Sequence, residues 1–510
     1  MYPKQPHSQI VNLLLAAALG AASVLAFAPF RLFWLLPLTL AGLFLLFERS
    51  ASRRGAALTG FVFGLAFFLV GVSWVYISLH EFGSMPAPLA ATATLLFCTI
   101  LALSQAFVGY AQSYFRFGLL KYAAVVPALW VLGELGRGSI SAGFPWNAVG
   151  YAQSPGTPLA GFAPLLGSYG VSWAVALSAG MLTYAVLRRR FLVPVTALVA
   201  LWISGALLQN IAWTRPAGAP ISVSLLQGNV EQETKFVPEK ALATLALYRE
   251  MVFASKAKLI VLPETAFAVF YDELPASYIE SLRRYAVAQG ADIISGVPEF
   301  AASGSETDYY NAAINIGAAP TRFYRKYHLV PFGEYLPLRP AFAWVLDFLH
   351  IPLSDFSRGT LGQPPMEVAG QKLAVNICYE NVFGEEIVRA LPEATLLANL
   401  SNDAWFGHSL GPQQHLQIAQ MRALESGRYM LRATNTGVTA IIDQRGRIVS
   451  RAPEYVVTTL NGTAQGYTGM TPFAYVRNHW MWALPIIVLL SYFIQTRRVR
   501  RAATEHDLKA

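Results

Sequence analysis

A chain of 510 residues that is 55% hydrophobic and only 13% charged, with a mean hydropathy of +0.42, excludes a soluble globular protein and indicates an integral membrane one. Its formal charge of +9 sits in basic clusters beside apolar runs, which argues for topology and anionic lipid and against nucleic acid.

Apolar runs that can cross about 30 Å of hydrocarbon, at about 20 residues each, are predicted at 9–29, 32–47, 56–79, 87–110, 119–135, 164–187, 191–212 and 480–495. The first has the charge and length of a signal peptide but no small-residue cleavage site, and further spans follow, so it reads as retained. Lys4, Arg49 with Arg53 and Arg54, Arg116 with Lys121, Arg188–Arg190, and the tail from Arg497 to Arg501 fall on one side only if all eight runs span. The expected organisation is a bundle of eight transmembrane helices, seven in 1–212 and the eighth in 477–510 with a basic tail. Both termini are then cytoplasmic, and the block 213–476 lies across the inner membrane of a bacterium, in the periplasm.

Between 221 and 445 strand-like runs (Ile221–Leu226, Leu259–Leu262, Asp292–Gly296, Ala312–Ile316, Leu373–Ile377, Thr395–Asn399, Val438–Ile442) alternate with helical ones (Pro238–Lys256, Pro275–Gln289, Phe383–Ala390, Pro412–Glu425). Alternation of this kind predicts an α/β layered domain with its site at the polar carboxy-ends of the strands. Arg215-Pro216-Ala-Gly218 reads as the entry linker and 461–477 as the exit.

Of the two cysteines, Cys98 falls mid-span and Cys378 ends a strand in the polar block. An unpaired thiol in a disulfide-favouring compartment suits a nucleophile, although an inert buried cysteine is the commoner case. Three segments place an ionisable group after an apolar run: Leu262-Pro263-Glu264, Tyr324-Arg-Lys326 leading to Glu334, and Cys378-Tyr379-Glu380. They offer an acid, a base and a nucleophile. Taken singly, Glu264 can be a helix-terminal carboxylate, Lys326 a solvated charge and Cys378 core. His328, His408 and His415 are scattered, and metal-ligand or phosphate-loop spacings are absent, so neither metal nor cofactor is expected.

Together with Gln227-Gly-Asn229, Asn402-Asp-Ala-Trp405-Phe406 and Arg432-Ala-Thr-Asn435, these segments resemble the nitrilase (carbon–nitrogen hydrolase) superfamily, specifically its membrane-embedded, lipoprotein-acylating branch. The resemblance implies a nitrilase-like αββα sandwich. It also implies Cys378 as nucleophile, Glu264 as general base and Lys326 as the cation beside the oxyanion. Glu334 then orients Lys326 or the base, and Tyr379 and Glu380 shape the cleft. Phe236 stands where the resemblance leads one to expect Trp, so the indole N–H is missing. Trp405 is a further substrate-binding candidate.

The implied partners are a phospholipid acyl donor, phosphatidylethanolamine by expectation, and a diacylated apolipoprotein whose α-amine accepts the chain, with the bilayer around a monomer. Trp146 and Asn147, in the loop after the fifth span, read first as an interfacial anchor and second as a border of the lipid entrance. The aromatic run with Phe332, Leu336, Phe342, Trp344, Phe348 and Phe356 reads equally as core or as a lid dipping into lipid. Rival readings are a membrane-anchored amidase releasing ammonia and a transporter carrying an inactive domain. The second fits poorly with spans that hold few central ionisable residues.

Overall fold

The computed structural model describes residues 9–140, 142–233, 235, 237–303, 306–336 and 355–507. Among them, helices Gln9–Ser23 (extended by a 3-10 turn to Ala26), Arg53–Gly71, Ala87–Gln112, Ala163–Arg188 (entered through a 3-10 turn from Pro158) and His479–Asp507 supply five segments long and apolar enough to cross a membrane. Leu192–Leu208 is apolar but shorter. Leu35–Arg49 has 15 residues, and the predicted 119–135 run is a π turn, Lys121–Val125, leading into Val126–Ser139. Helices Arg53–Gly71 and Ala87–Gln112 touch along glycines: a Cβ on Gly60 would lie 2.2 Å from the Gln105 carbonyl oxygen, and one on Gly109 2.3 Å from that of Ala56. Backbone packing this close is what small residues permit in apolar surroundings, where dispersion drives association.

Fourteen strands follow among the described residues: β1 (Arg215–Pro216), β2 (Ile221–Gln227), β3 (Leu259–Val261), β4 (Asp292–Ser303), β5 (Glu306–Ile316), β6 (Phe323–Arg325), β7 (Met366–Val368), β8 (Gln371–Ile377), β9 (Leu396–Ser401), β10 (Met430–Thr434), β11 (Ala440–Ile442), β12 (Ile448–Arg451), β13 (Thr458–Ala464) and β14 (Tyr467–Thr468). Twelve of them build two six-stranded sheets, ordered β13-β2-β3-β4-β5-β6 and β12-β11-β10-β9-β8-β7, and β1 and β14 make a two-stranded one. In each sheet three neighbouring strands are parallel, β2-β3-β4 and β8-β9-β10.

Alternation along β2 and β8 decides how the sheets stack. Val223 and Leu225 face Leu373, Val375 and Ile377 between the sheets, while Leu226 and Ala374 face outward. Helices Pro238–Ala254 and Ala276–Gln289 cover the first sheet through Leu245, Val252, Leu282 and Ala286. Helix Gly411–Ser426 covers the second through Leu416, Ala419 and Ala423. The layers therefore run helix, sheet, sheet, helix, as the resemblance implied.

Several local expectations change. β4 and β5 form a hairpin far longer than the apolar runs at their bases, because the pairing continues through polar residues from Ile293–Ile316 to Ser303–Glu306. Strand β10, which carries the Arg432 segment and is absent from the predicted strand runs, is buried throughout. Phe383–Ala390 holds only a helical turn, Gly384–Ile387, and a 3-10 turn, with Pro392 soon after to stop it. The presumed exit linker begins inside β13, which pairs with β2, and β14 pairs with β1 across the entry.

Candidate active site

Each parallel trio delivers one end of the site. After β8 the chain turns at Cys378, whose φ of +51° is the left-handed conformation that costs a non-glycine residue of order 1 kcal/mol or more. After β3, Pro263 and Glu264 lead to Thr265, also left-handed at φ +49°. That turn lies against β4 at Gly296, where a Cβ would come within 2.4 Å of the Thr265 nitrogen, so only glycine admits it. Lys326 follows β6, its amide donating to the Asn311 carbonyl of β5 at 2.8 Å.

Three of the expected residues converge. Lys326 Nζ lies 2.8 Å from Glu334 Oε1 and 3.6 Å from Glu264 Oε1. Glu264 Oε1 accepts from Asn311 Nδ2 at 2.8 Å, and its Oε2 accepts from the Asn402 amide at 2.9 Å. Burial pulls the Lys326 ammonium down, but Glu334, Glu264 and Cys378 outweigh it and hold the group above its ordinary value. Burial and the negative charge of Glu264 push the Cys378 thiol up, with Lys326 opposing. Cys378 therefore rests as a thiol.

Glu334 does more than touch Lys326. Its Oε1 also accepts from Asn311 Nδ2 at 2.8 Å, and its Oε2 from the Val330 amide at 2.8 Å. Asn311 thus bridges both carboxylates, while its Oδ1 is buried without a hydrogen-bond partner among the described residues. Nothing in the sequence marked Asn311, which reads as one polar position in a strand.

Glu380 clamps two segments together. Its Oε2 accepts from the Ile377 amide at 2.7 Å and the Tyr324 hydroxyl at 2.9 Å; its Oε1 accepts from the amides of Tyr327 at 2.7 Å and His328 at 3.2 Å. One side chain so joins the residue before Cys378 to the residue after Lys326. Burial nevertheless pushes its pKa up to about 7, against the amides of Ile377 and Tyr327 and the charge of Lys326.

A second polar network backs the elbow. Asp403 Oδ2 accepts from Arg432 Nη2 at 2.6 Å, and its Oδ1 accepts from Ser401 Oγ at 2.7 Å and His415 Nδ1 at 3.0 Å. Burial alone raises the Asp403 carboxyl; Arg432 and then His415 more than offset it, holding the group well below the usual range. His415 is pulled down by burial and by Arg432, so the neutral ring donates to the carboxylate. The Arg432 and Asn402 segments singled out in the sequence are structural supports: Asn435 donates to Asn402 Oδ1 at 3.0 Å and to the Val230 carbonyl at 2.7 Å, bringing in the strand that carried Gln227-Gly-Asn229.

The site sits on the segment that follows helix Val126–Ser139. Tyr379 donates to the Gly143 carbonyl at 2.8 Å, Tyr151 to that of Val382 at 3.2 Å, and His328 Nε2 lies 2.8 Å from that of Ala142. Trp146 is not an exposed interfacial anchor: it is 1% exposed, donates to Gln414 Oε1 at 2.7 Å, and packs on Trp74, Phe406 and His415. Asn147 is buried beside Gly71 at φ +55°, its Nδ2 without a hydrogen-bond partner among the described residues. Trp405 is half-buried, its ring 6.1 Å from that of Phe82 and its carbonyl accepting from Ser78 Oγ at 2.7 Å. His408 packs on Tyr455 at 4.0 Å. Phe236 and the stretch with Phe342, Trp344 and Phe348 lie outside the described residues; Phe332 is 37% exposed, and the Phe356 amide donates to the Glu334 carbonyl.

The two stacked sheets with their covering helices define a domain of the carbon–nitrogen hydrolase fold joined to an apolar helical part. Residues 222–469 match the carbon-nitrogen hydrolase family model, and residues 19–181 that of the apolipoprotein N-acyltransferase N-terminal domain. The apolipoprotein N-acyltransferase of Nitrosomonas europaea is 50% identical over 481 residues, covering 94% of this chain and 96% of its own. That of Ralstonia nicotianae is 45% identical over 498 residues (96% and 94%), and that of Chromobacterium violaceum 43% over 486 (94% and 92%). The chain belongs to the apolipoprotein N-acyltransferase family.

Proposed function

We propose that this protein moves an acyl chain from a membrane phospholipid, phosphatidylethanolamine in our reading, to the N-terminal amine of the diacylglyceryl-cysteine of an apolipoprotein, through a thioester on Cys378. The observation that carries the mechanism is the approach of Glu264 and Lys326 to 3.6 Å at the strand ends that also present Cys378. In the first half-reaction Cys378 Sγ attacks the ester carbonyl carbon while its proton passes to Glu264, and the oxyanion forms beside Lys326. Collapse breaks the ester C–O bond, the leaving alkoxide takes the proton from Glu264, and a lysophospholipid departs. In the second, the α-amine attacks the thioester carbon and gives a proton to Glu264; the C–S bond breaks, and the sulfur recovers that proton. This is ping-pong catalysis. An α-amine, with a pKa of about 7.7–8.0, is substantially neutral at mildly alkaline pH, so the base has little to remove.

Water competes for the thioester, and a lipid-lined approach disfavours it. The seat of Tyr379, Val382 and Phe383 in the same buried cluster as the membrane helices supports that setting. In our reading all eight apolar runs span, 1–212 and 477–510 form the membrane part, both termini are cytoplasmic, and the monomer's 213–476 domain faces the periplasm of the inner membrane. Labelling the tail and the catalytic domain with an impermeant reagent in oriented vesicles tests this topology.

For the chemistry, pure protein is incubated with radiolabelled phospholipid, a Cys378-linked acyl group is trapped, and a diacylated lipopeptide is added. Release of label onto the lipopeptide is expected. Retained transfer by Cys378→Ser overturns the mechanism, and ammonia release from small amides without any lipid acceptor supports a membrane-anchored amidase instead.

A further inference from the structure

A second lysine enters the site from the segment after β2. Lys235 is 2% exposed, and its Nζ donates to the backbone carbonyl of Glu264 at 3.2 Å. Its segment is pinned in place: Asn229 and Val230 donate to Asn435, and Gln232 Oε1 accepts from Asn402 Nδ2 at 2.5 Å. Asn402 is the residue whose amide holds Glu264 Oε2. Burying a long, charged side chain this fully is costly unless nearby charge compensates it.

The compensation runs in both directions. Lys326 is flanked by two carboxylates, Glu264 and Glu334, so that trio carries a net negative charge before any oxyanion forms. With a second ammonium the resting site is neutral. It stays neutral when the thiol proton moves to Glu264 and negative charge appears on the substrate oxygen. We propose that Lys235 is a second cation of the catalytic centre, a positioning residue that fixes the Glu264 turn through its carbonyl and balances the charge developing at Cys378. The proposal rests on the thioester reading above.

The groups acting on Lys235 are Glu264, from the turn after β3, and Cys378, from the elbow after β8; Glu231 and Glu233 on its own segment are exposed. Burial brings its pKa down to about 8, with Glu264 and Cys378 pulling the other way. Lys326 is shifted in the opposite direction, so the two cations separate by pH.

The test is the rate of acyl-enzyme formation from labelled phospholipid alone, measured from pH 6 to 10 so that the acceptor amine takes no part. The wild type is expected to lose rate above about pH 8. Lys235→Met is expected to form acyl-enzyme roughly 10- to 100-fold more slowly with that alkaline limb gone. Lys235→Arg should recover part of the rate and keep it at high pH. A wild-type profile without the limb, or Lys235→Met with wild-type rate and profile, overturns the proposal. Should Lys235→Met not accumulate as folded protein, Lys235→Gln against Lys235→Arg makes the same comparison. Cys378→Ser is run alongside: if it forms product the thioester reading fails, whereas a dead Cys378→Ser beside a normal Lys235→Met sinks only the role of Lys235.

Discussion

Glu334 holds Lys326 through a buried ion pair, Oε1 to Nζ at 2.8 Å, closer than the 3.6 Å between Lys326 and Glu264. In the proposed mechanism the cation beside the oxyanion is thus positioned by a carboxylate outside the triad. Glu334→Ala leaves the ammonium buried with a single, more distant carboxylate, which costs about 3–5 kcal/mol of stability, read by thermal unfolding in detergent. Lys326→Ala, in contrast, removes the charge at the oxyanion and is expected to lower kcat by about 10²–10³-fold.

Glu380 gives stability a pH dependence. Its pKa rises from 4.5 to about 7 on folding, so between those values the folded state holds a proton that the unfolded state has lost. Stability from this group therefore falls as pH rises through that window, by up to about 3 kcal/mol. The wild type should lose melting temperature from pH 4.5 to 7 more steeply than Glu380→Gln; parallel slopes would contradict the assignment.

Asp403→Asn is expected to destabilise the protein by about 3–5 kcal/mol, because Arg432 then remains fully buried opposite a neutral amide. Unfolding curves measure the cost. Replacing a surface carboxylate such as Glu280, whose ion pairs span 4.0 Å, should cost under about 1 kcal/mol in the same assay.

Trp146→Phe removes the donor to Gln414 and leaves that buried acceptor unpaired, a loss of about 1–3 kcal/mol. Tyr379→Phe does the same to the Gly143 carbonyl. Both contacts join the catalytic domain to the membrane part, so each variant should melt at lower temperature in detergent. A Trp146→Phe protein as stable as the wild type would show that this seat contributes nothing.

Membrane residence, the α/β alternation and the candidate Glu264, Lys326 and Cys378 were all legible in the sequence, because hydropathy, strand period and short motifs are local properties. Cys378 at the end of β8 and Glu264 after β3 follow from strand runs that any reader can mark. The long β4–β5 hairpin was not legible, since cross-strand pairing let polar residues continue both strands. Asn311 and Lys235 went unread for a related reason: an amide in a strand and a lysine in a loop carry no local sign of burial. Only strand order within the first sheet, which sets β5 two strands from β3, turns Asn311 into a bridge between carboxylates, and only the stacking of the two sheets, which brings together segments about 140 to 170 residues apart, makes Asn402 a partner of Glu264 and Gln232. The same packing moved Trp146 from an expected lipid interface into a buried joint. Hydropathy fixes which segments leave water, but which neighbour each then meets depends on contacts between distant parts of the chain.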